Sequence, residues 1–274
     1  MDRLNFDFDR RVTERYDALR GHPPEASAQI AAGLLARLPP APEVLEIGVG
    51  TGRIAIPLAT AGACVVGIDR SDAMLAVLRD QAASADDRLE AVLGDAEALP
   101  FTAERFDAVL CVHVLHLLTH PAAALAGFYR VLKPGGLLIL GRDWVDPQSF
   151  AGDLRNAFRR IVMELGPDVP AGAGARELPA LAAAAGFVPA IASDASTPES
   201  VLARWQASLA PQDMLAGIRS RDDAESWVLP DTLLAQVMTR LDTYARDTNL
   251  DLTTAQTVER RFLITTLQRP SGDA

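Results

Sequence analysis

A glycine-rich loop is the first feature of this sequence whose residue types and spacing suggest chemistry. The loop has the sequence EIGVGTG at residues 46–52 and follows a short apolar run. Glycines let the backbone approach a ligand closely, and a helix that begins there offers N–H groups to an anion. Dinucleotide-binding loops place their last glycine where this chain has Arg53, so the spacing disfavours NAD and FAD.

Two aspartates follow the next apolar runs along the chain. Asp69 ends the run GID at residues 67–69, and Asp95 lies in GDAE at residues 94–97. A carboxylate at the first position can accept hydrogen bonds from a ribose diol, and one at the second can accept from the exocyclic amine of adenine. Because open α/β sheets bind ligands at the carboxyl ends of their strands, the loop and both aspartates predict an adenosine-containing ligand without a pyrophosphate. The alternative is that the aspartates only cap helices or turns.

Histidines are the candidate acid–base groups. His113 and His116 lie in the segment CVHVLHLL at residues 111–118 and would share a face if this segment forms a helical turn. An imidazole of near-neutral pKa can accept a proton from a hydroxyl or an amine, which makes His113 the candidate general base. The alternative is packing against the cofactor or in the core. We expect His120, which precedes Pro121, to be a turn residue, and His22 to reach the site only if the N-terminal segment covers it.

Alternating strands and helices must position these groups. Short apolar runs at 44–47, 65–68, 91–93, 108–114 and 137–140 predict five strands of a parallel sheet, and helical patterns at 54–59, 73–81 and 122–132 predict the crossovers. Ser71 is placed to cap the second of these helices, and KPGG at 133–136 is typical of a helix end.

The second half of the chain predicts more helix. We expect helices at 150–165, 177–185, 198–218 and 231–248, a sixth strand at 187–192 and a final strand at 262–266. Residues 170–174 predict a loop. The expected fold class is therefore α/β, with helices on both faces of the sheet and additional helices at about 150–170 and 198–250 that form a lid.

Five segments occur in the order of the motifs of the class I S-adenosylmethionine-dependent methyltransferases, which this chain resembles over about residues 40–141. They are VLEIGVGTG at 44–52, GID at 67–69, GDAEALPF at 94–101, FDAV at 106–109 and RVLKPGG at 130–136. The resemblance implies a Rossmann-like sheet of seven strands, the last one antiparallel. The N-terminal YDALRGHPP at 16–24 is similar, more weakly, to the cofactor-covering segment of some small-molecule members.

The resemblance also implies the cofactor, S-adenosyl-L-methionine, and the residues around it. Glu46 and the glycine loop would hold its methionine end, Asp69 its ribose, and Asp95 with Ala96 its adenine. The full set of expected cofactor-binding residues is Glu46, Gly48, Gly50, Gly52, Asp69, Arg70, Asp95 and Ala96. We expect residues 1–40 to form the covering segment, 41–141 the cofactor-binding core, and 142–274 the remaining strands with the inserted lid.

The acceptor is expected to be a small molecule. After the fourth predicted strand the chain lacks the Asn/Asp-Pro-Pro-aromatic signature of many amine and base methylators, and it also lacks the carboxylates that hold magnesium in catechol-type enzymes. The four histidines and two cysteines show no metal-binding spacing. These features favour metal-independent transfer, to oxygen first, with nitrogen or carbon as alternatives.

Composition narrows the possible partners. The 274 residues include 26 Lys+Arg and 36 Asp+Glu, a formal charge of −10, and Lys133 is the only lysine. Nucleic acid and an anionic membrane surface both require a basic face, so we expect neither as a partner. Cys64 and Cys111 lie in apolar runs and are expected to be reduced core residues, and with no leader or spanning segment evident we expect a cytoplasmic protein.

Other functions share parts of this pattern. A tRNA or protein methyltransferase would have the same core but needs a basic surface or a recognition domain. An NAD(P)-dependent oxidoreductase would share the layout, although Arg53 and Asp95 argue against it. A non-catalytic S-adenosylmethionine-binding module would show the same binding motifs.

Overall fold

The computed structural model describes residues 21–82, 88–166, 178–190, 199–222 and 224–272. In chain order its elements are α1 (Pro24–Leu35), β1 (Glu43–Ile47), α2 (Ala55–Thr60), β2 (Cys64–Asp69), α3 (Asp72–Ala82), β3 (Leu89–Leu93), β4 (Phe106–Val112), a 3-10 turn (Leu115–Leu117), α4 (Pro121–Val131), β5 (Leu132–Val145), α5 (Phe150–Leu165), α6 (Leu178–Ala184), β6 (Val188–Pro189), β7 (Glu199–Leu209), α7 (Pro211–Arg219), α8 (Ala224–Trp227), α9 (Asp231–Asp247) and β8 (Gln256–Gln268). Within these ranges no helix combines the length and the apolar character needed to cross a lipid bilayer.

The sheet has the order β3-β2-β1-β4-β5-β8-β6, with β7 as an additional partner of β8. β1 pairs in parallel with β2 on one side and β4 on the other, and Ile47 is in register with both Ile68 and Cys111. β3 extends the parallel set with Asp69 opposite Leu93, whereas β6 and β8 are antiparallel. The carboxyl ends of β1 to β4 therefore lie along one edge, as the predicted Rossmann-like α/β fold requires.

One predicted helix is wrong. Residues 199–209 form β7, and helix appears only from Pro211 onward in α7. Side chains at 203, 205, 207 and 209 are less exposed than those between them, which is the period of a strand. The alanines in this segment favoured helix locally, but pairing with β8 overrides that preference, and the described residues form a sheet of eight strands instead of the expected seven.

Several boundaries also differ from those expected. The strand expected at 262–266 extends over Gln256–Gln268, and β5 begins at Leu132, directly after α4. The KPGG segment lies within β5, where the register shifts between the pairs Phe106↔Leu132 and Ala108↔Leu137. Of the strand expected at 187–192, only β6 is formed, and residues 191–198 lie outside the described residues. The loop expected at 170–174 and the N-terminal residues 1–20 also lie outside them.

Local capping follows the sequence. The N–H of Met74 donates to Ser71 Oγ at 3.2 Å, which satisfies one of the otherwise unpaired donors at the start of α3. Helix α5 covers the expected 150–165 and has Ser149 as its N-cap. Gly186, with φ of 95°, ends the helix expected at 177–185. These ends depend on nearby residues, and for that reason they can be predicted from the sequence.

The described residues fall into two compact units. One contains the described residues of 21–142, 178–203 and 262–272, and its core packs sheet residues such as Leu45 and Ile68 against Leu125 and Phe128 of α4. The other contains those of 143–166 and 204–261, and its core packs α5, α7 and α9 through residues such as Phe158 and Leu241.

The two cysteines differ. Cys111 is buried in the sheet core, as expected, and burial raises the pKa of its thiol to about 12. Cys64 is exposed, so the expectation that both lie in the core is wrong for this residue. It is the first residue of β2, before the buried run of that strand begins.

Candidate functional site

The glycine loop crosses the carboxyl end of β2. The N–H groups of Gly48 and Val49 both donate to the carbonyl oxygen of Ile68, at 2.8 and 3.1 Å. The N–H of Gly50 donates to Asp69 Oδ2 at 2.9 Å. The backbone of the loop is therefore held directly above the strand end that carries the candidate ribose ligand.

The three glycines of the loop have different roles. A Cβ atom on Gly48 would lie 2.3 Å from Val114 Cγ2, and one on Gly52 would lie 2.3 Å from Leu78 Cδ1, so a side chain at either position would require these neighbours to shift. Both glycines also have a positive φ, of 64° and 91°, which strains any other residue. A Cβ atom on Gly50 would meet nothing within 4 Å, although its φ of 55° also favours glycine. Of the three, Gly50 alone borders open space that a ligand can enter.

Glu46 is the most perturbed group of the site. The residue is 3% exposed and lines a small recess together with Gly48, Gly50 and Arg53. Burial raises the pKa of its carboxyl to about 8; the nearby Arg53 charge and the N–H of Ala55 lower it, and the Asp69 charge raises it. Among the described residues, Glu46 Oε2 is buried and has no hydrogen-bond partner. Such an orphaned acceptor is costly unless a ligand supplies a donor.

Asp69 already accepts two backbone hydrogen bonds. The N–H of Gly50 donates to Oδ2 and the N–H of Ser71 to Oδ1, both at 2.9 Å. Burial raises the pKa of this carboxyl, although N–H groups of Ser71, Gly50 and Arg70 act in the opposite direction. Each carboxylate oxygen has a second lone pair, so the side chain can still accept from a diol. The side chain of Arg70 itself is exposed.

Asp95 lies in a turn immediately after β3. The N–H of Gly94 donates to the carbonyl oxygen of Asp69 at 2.9 Å, which joins the ends of β2 and β3. Asp95 Oδ1 accepts the N–H of Glu97 at 2.9 Å, and the Asp95 side chain is exposed. Asp69 and Asp95 thus each bond to the residue two positions on, the Asx-turn geometry of the alternative considered above. Ala96, the other predicted adenine neighbour, is half-buried against the sheet core.

His113 follows β4 with a left-handed backbone conformation, at φ of 56°. This conformation separates it from the 3-10 turn Leu115–Leu117 that contains His116, so the helical turn that would place both histidines on one face is not formed. A positive φ on a residue other than glycine is uncommon and is found preferentially at functional sites. His113 lies two residues beyond Cys111, which is in register with Ile47 at the start of the glycine loop.

The other two histidines lie at the ends of helices. His120 is exposed and immediately precedes α4, and its Nδ1 lies 2.8 Å from Glu97 Oε2. His22 Nε2 lies 3.0 Å from an Arg53 guanidinium nitrogen, and the His22 ring packs edge-to-face on Phe262 at 5.5 Å. His22 thus contacts a side chain that lines the recess.

Two residues of the site have no role that the sequence predicts. Arg53 departs from the glycine of dinucleotide-binding loops, and it lines the recess beside Glu46. Glu97 lies in the GDAE segment and accepts hydrogen bonds from residues 119 and 120. The role of Glu97 depends on contacts with a distant part of the chain. Within the described ranges, no three side chains of His, Cys, Asp or Glu lie together as potential metal ligands.

The sheet is doubly wound, a glycine loop follows β1, and aspartates lie at or just after the ends of β2 and β3. These features define the class of Rossmann-like nucleotide-binding proteins. A family model described as a methyltransferase domain matches residues 45–140. A ubiquinone/menaquinone biosynthesis C-methyltransferase of Syntrophotalea carbinolica is 33% identical over 175 residues, which cover 62% of this chain and 74% of that protein. The chain belongs to the class I S-adenosylmethionine-dependent methyltransferases.

Other similarities are more limited in extent. A ubiquinone biosynthesis O-methyltransferase of Dinoroseobacter shibae is 37% identical over 108 residues, which cover 39% of this chain and 44% of that protein. The first relatives are thus matched over only 39% to 52% of their own length. A Haemonchus contortus phosphoethanolamine N-methyltransferase 2, solved with S-adenosyl-L-methionine, has a TM-score of 0.55 at 19% identity, covering 97% of this chain and 58% of that one. This last similarity supports the fold alone.

Proposed function

We propose that this protein binds S-adenosyl-L-methionine and transfers its methyl group to a small organic acceptor by metal-independent in-line displacement. One observation carries the proposal: a buried carboxyl oxygen of Glu46 without a partner among the described residues, beside the open backbone at Gly50. A primary ammonium group has three N–H donors and a positive charge, which is what this carboxyl lacks.

Each part of the cofactor has a proposed partner among the site residues. Glu46 would accept from the amino group of the methionine end, and Gly50 would allow the ligand to approach the backbone. Asp69 would accept from the ribose hydroxyls through its remaining lone pairs, with Arg70 beside it. Asp95 has one oxygen engaged by the N–H of Glu97, so its other oxygen would accept from adenine, with Ala96 alongside. Gly48 and Gly52 would act indirectly, by allowing the loop to pack.

When bound, the cofactor supplies a methyl group made electrophilic by the adjacent sulfonium. The protein must then align the acceptor, and such positioning contributes roughly 7–11 kcal/mol in favourable cases. We propose His113 as the group that removes a proton from a hydroxyl or amine acceptor. Its strained backbone at the end of β4, next to β1, supports a functional role for this position.

The acceptor class is also a proposal. The relatives named for ubiquinone O-methylation and for ubiquinone/menaquinone C-methylation favour an acceptor related to those of quinone biosynthesis. The missing Asn/Asp-Pro-Pro-aromatic signature after β4 agrees with oxygen as the first choice of acceptor atom. Three further expectations stay predictions. They are a lid formed by helices within 150–170 and 198–250, a cytoplasmic location, and the absence of nucleic-acid or membrane partners.

Calorimetric titration with S-adenosylmethionine and S-adenosylhomocysteine tests the binding part of the proposal. Asp69→Ala and Asp95→Ala should each weaken binding by about tenfold or more, because a hydrogen bond to a charged group contributes roughly 1.5–3 kcal/mol. Asp80→Ala is the matched control, since it removes an exposed carboxylate from α3 away from the strand ends. A parent protein that binds neither compound, or folded Asp69 and Asp95 variants that bind like the parent, would refute the proposal.

A second measurement tests transfer. The parent protein is incubated with S-adenosylmethionine and a panel of phenols, quinol precursors, amines and activated carbon acids, and formation of S-adenosylhomocysteine is measured. We expect turnover with at least one ring-hydroxyl acceptor. Tight binding without product from any acceptor would instead favour a non-catalytic binding module.

A further inference from the structure

Glu97 is a carboxylate that the proposed mechanism does not use. It lies two residues after Asp95, and its side chain is only 16% exposed. Glu97 Oε1 accepts the backbone N–H groups of Thr119 and His120, at 2.7 and 2.9 Å, and its Oε2 lies 2.8 Å from His120 Nδ1. A single side chain thus satisfies two consecutive backbone donors from a segment more than twenty positions away in the sequence.

The contacts of Glu97 connect two parts of the candidate site. On one side, the N–H of Glu97 donates to Asp95 Oδ1 at 2.9 Å, so Glu97 contacts the residue that is proposed to bind adenine. On the other side, Thr119 and His120 end the segment 113–120, which begins with His113. That segment leads into α4, whose Leu125 is fully buried in the sheet core. A continuous series of hydrogen bonds therefore runs from Asp95 to the segment that carries the proposed base.

The charge of Glu97 strengthens these contacts. Partial burial acts to raise the pKa of the Glu97 carboxyl. Hydrogen bonds from the His120 N–H, the His120 ring and the Thr119 N–H outweigh this effect, so the pKa lies below its usual range. The group is therefore a carboxylate at neutral pH, and hydrogen bonds to an ionised acceptor are about twice as strong as neutral ones. The His120 ring is 67% exposed, so the two backbone bonds matter more than the contact between Glu97 and this ring.

We propose that Glu97 is a positioning residue that couples ligand binding at Asp95 to the conformation of the segment 113–120. The proposal rests on the proposed function, because it requires an adenosine-containing ligand at Asp95. Coupling between two sites is reciprocal, so a ligand that orders the Asp95 turn must also stabilise the bonds from Thr119 and His120 to Glu97. A residue that only anchored the start of α4 would hold these bonds equally well with and without ligand.

Amide hydrogen exchange at Thr119 and His120, resolved by NMR, tests the coupling. In the parent protein, saturating S-adenosylhomocysteine should slow exchange of both amides by about tenfold, which lies within the range of roughly 5–150-fold that is typical of coupling between two sites. Glu97→Ala should abolish this ligand-dependent protection. Glu97→Gln should retain most of it, because the amide oxygen still accepts both N–H bonds. Glu90→Ala, which removes an exposed glutamate from β3, is the matched control and should behave like the parent.

Calorimetry on the same samples separates the two proposals. If S-adenosylhomocysteine binds the parent but leaves exchange at residues 119 and 120 unchanged, the coupling is refuted and the proposed function stands. If it does not bind the parent at all, the proposed function fails, and the coupling fails with it. If Glu97→Ala proves too unstable to study, the parent remains decisive, since the proposal requires that ligand slows exchange at both amides in the parent protein.

Discussion

Replacing Glu46 with glutamine should make the ligand-free protein more stable at alkaline pH. Burial raises the pKa of Glu46 from its ordinary 4.5 to about 8. Between these values the unfolded chain releases the proton while the folded protein retains it, so the stability of the parent falls as pH rises through this range. Each unit of pKa shift corresponds to about 1.4 kcal/mol, which gives a cost on the order of 5 kcal/mol above pH 8.

Glutamine removes this cost because it has the same shape and no proton to lose. We expect the two proteins to have similar free energies of unfolding at pH 5 and the glutamine variant to be several kcal/mol more stable at pH 8.5. Urea unfolding at intervals from pH 5 to pH 9 measures this difference. Glu43→Gln is the matched control, because it lies on the same strand with a side chain that is 47% exposed. If the free energies of unfolding of the parent and the Glu46 variant changed with pH in parallel, the raised pKa would not belong to Glu46.

The same group should link ligand binding to proton release. An ammonium group that binds Glu46 favours its ionised form, so at pH 7 binding of S-adenosylhomocysteine should release close to one proton. Affinity should rise with pH as Glu46 ionises and should level off above about pH 8. Calorimetry in buffers of different ionisation enthalpy measures the released proton. Equal proton release by Glu46→Gln would contradict the role given to this carboxyl.

Further substitutions test other parts of the structure. His113→Asn should reduce turnover with a hydroxyl acceptor by roughly 10²–10⁴-fold while leaving the fold intact, since asparagine tolerates a positive φ. An asparagine variant as active as the parent would refute the role of His113 as the general base. Gly52→Ala should lower stability by about 1–3 kcal/mol in urea, because its Cβ would lie 2.3 Å from Leu78. Gly50→Ala has only the strain of its positive φ, so it should lower stability less and should also weaken S-adenosylhomocysteine binding. Phe158→Ala, at a position 4% exposed, should cost roughly 3–5 kcal/mol, and a loss below 1 kcal/mol would contradict its place in the helical core.

Most of the sheet could be predicted because its signals are local. The runs at 44–47, 65–68 and 108–114 are apolar and short, and glycine or aspartate follows the first two at the strand ends. The segment 199–209 could not be assigned in the same way, because its alanines favour helix and only the pairing with β8 makes it a strand. Cys64 was misplaced because the apolar run of β2 begins one residue after it.

The sequence predicted residue types for the candidate site but not their interactions, and the binding roles of these residues stay a proposal. The motifs indicated Glu46, Asp69 and Asp95 as ligand-binding residues, and the structure brings the strands that carry or precede them side by side. The left-handed backbone of His113 had no local signal, since neither glycine nor asparagine marks the position. Arg53 and Glu97 were missed for the same reason, because their partners lie far away in the sequence.

Hydrophobic period, caps and glycines act over a few neighbouring positions, so they predicted most of the strands and helices, apart from β7, and the kind of residue at each strand end. Three features depend on the folded chain: β1 lies between β2 and β4, Glu46 loses its contact with water, and Glu97 binds the start of α4. Desolvation and hydrogen bonding depend on what surrounds a group in space. Those surroundings come from distant parts of the chain, so the pKa of Glu46 and the partners of Glu97 appear only once the chain is folded.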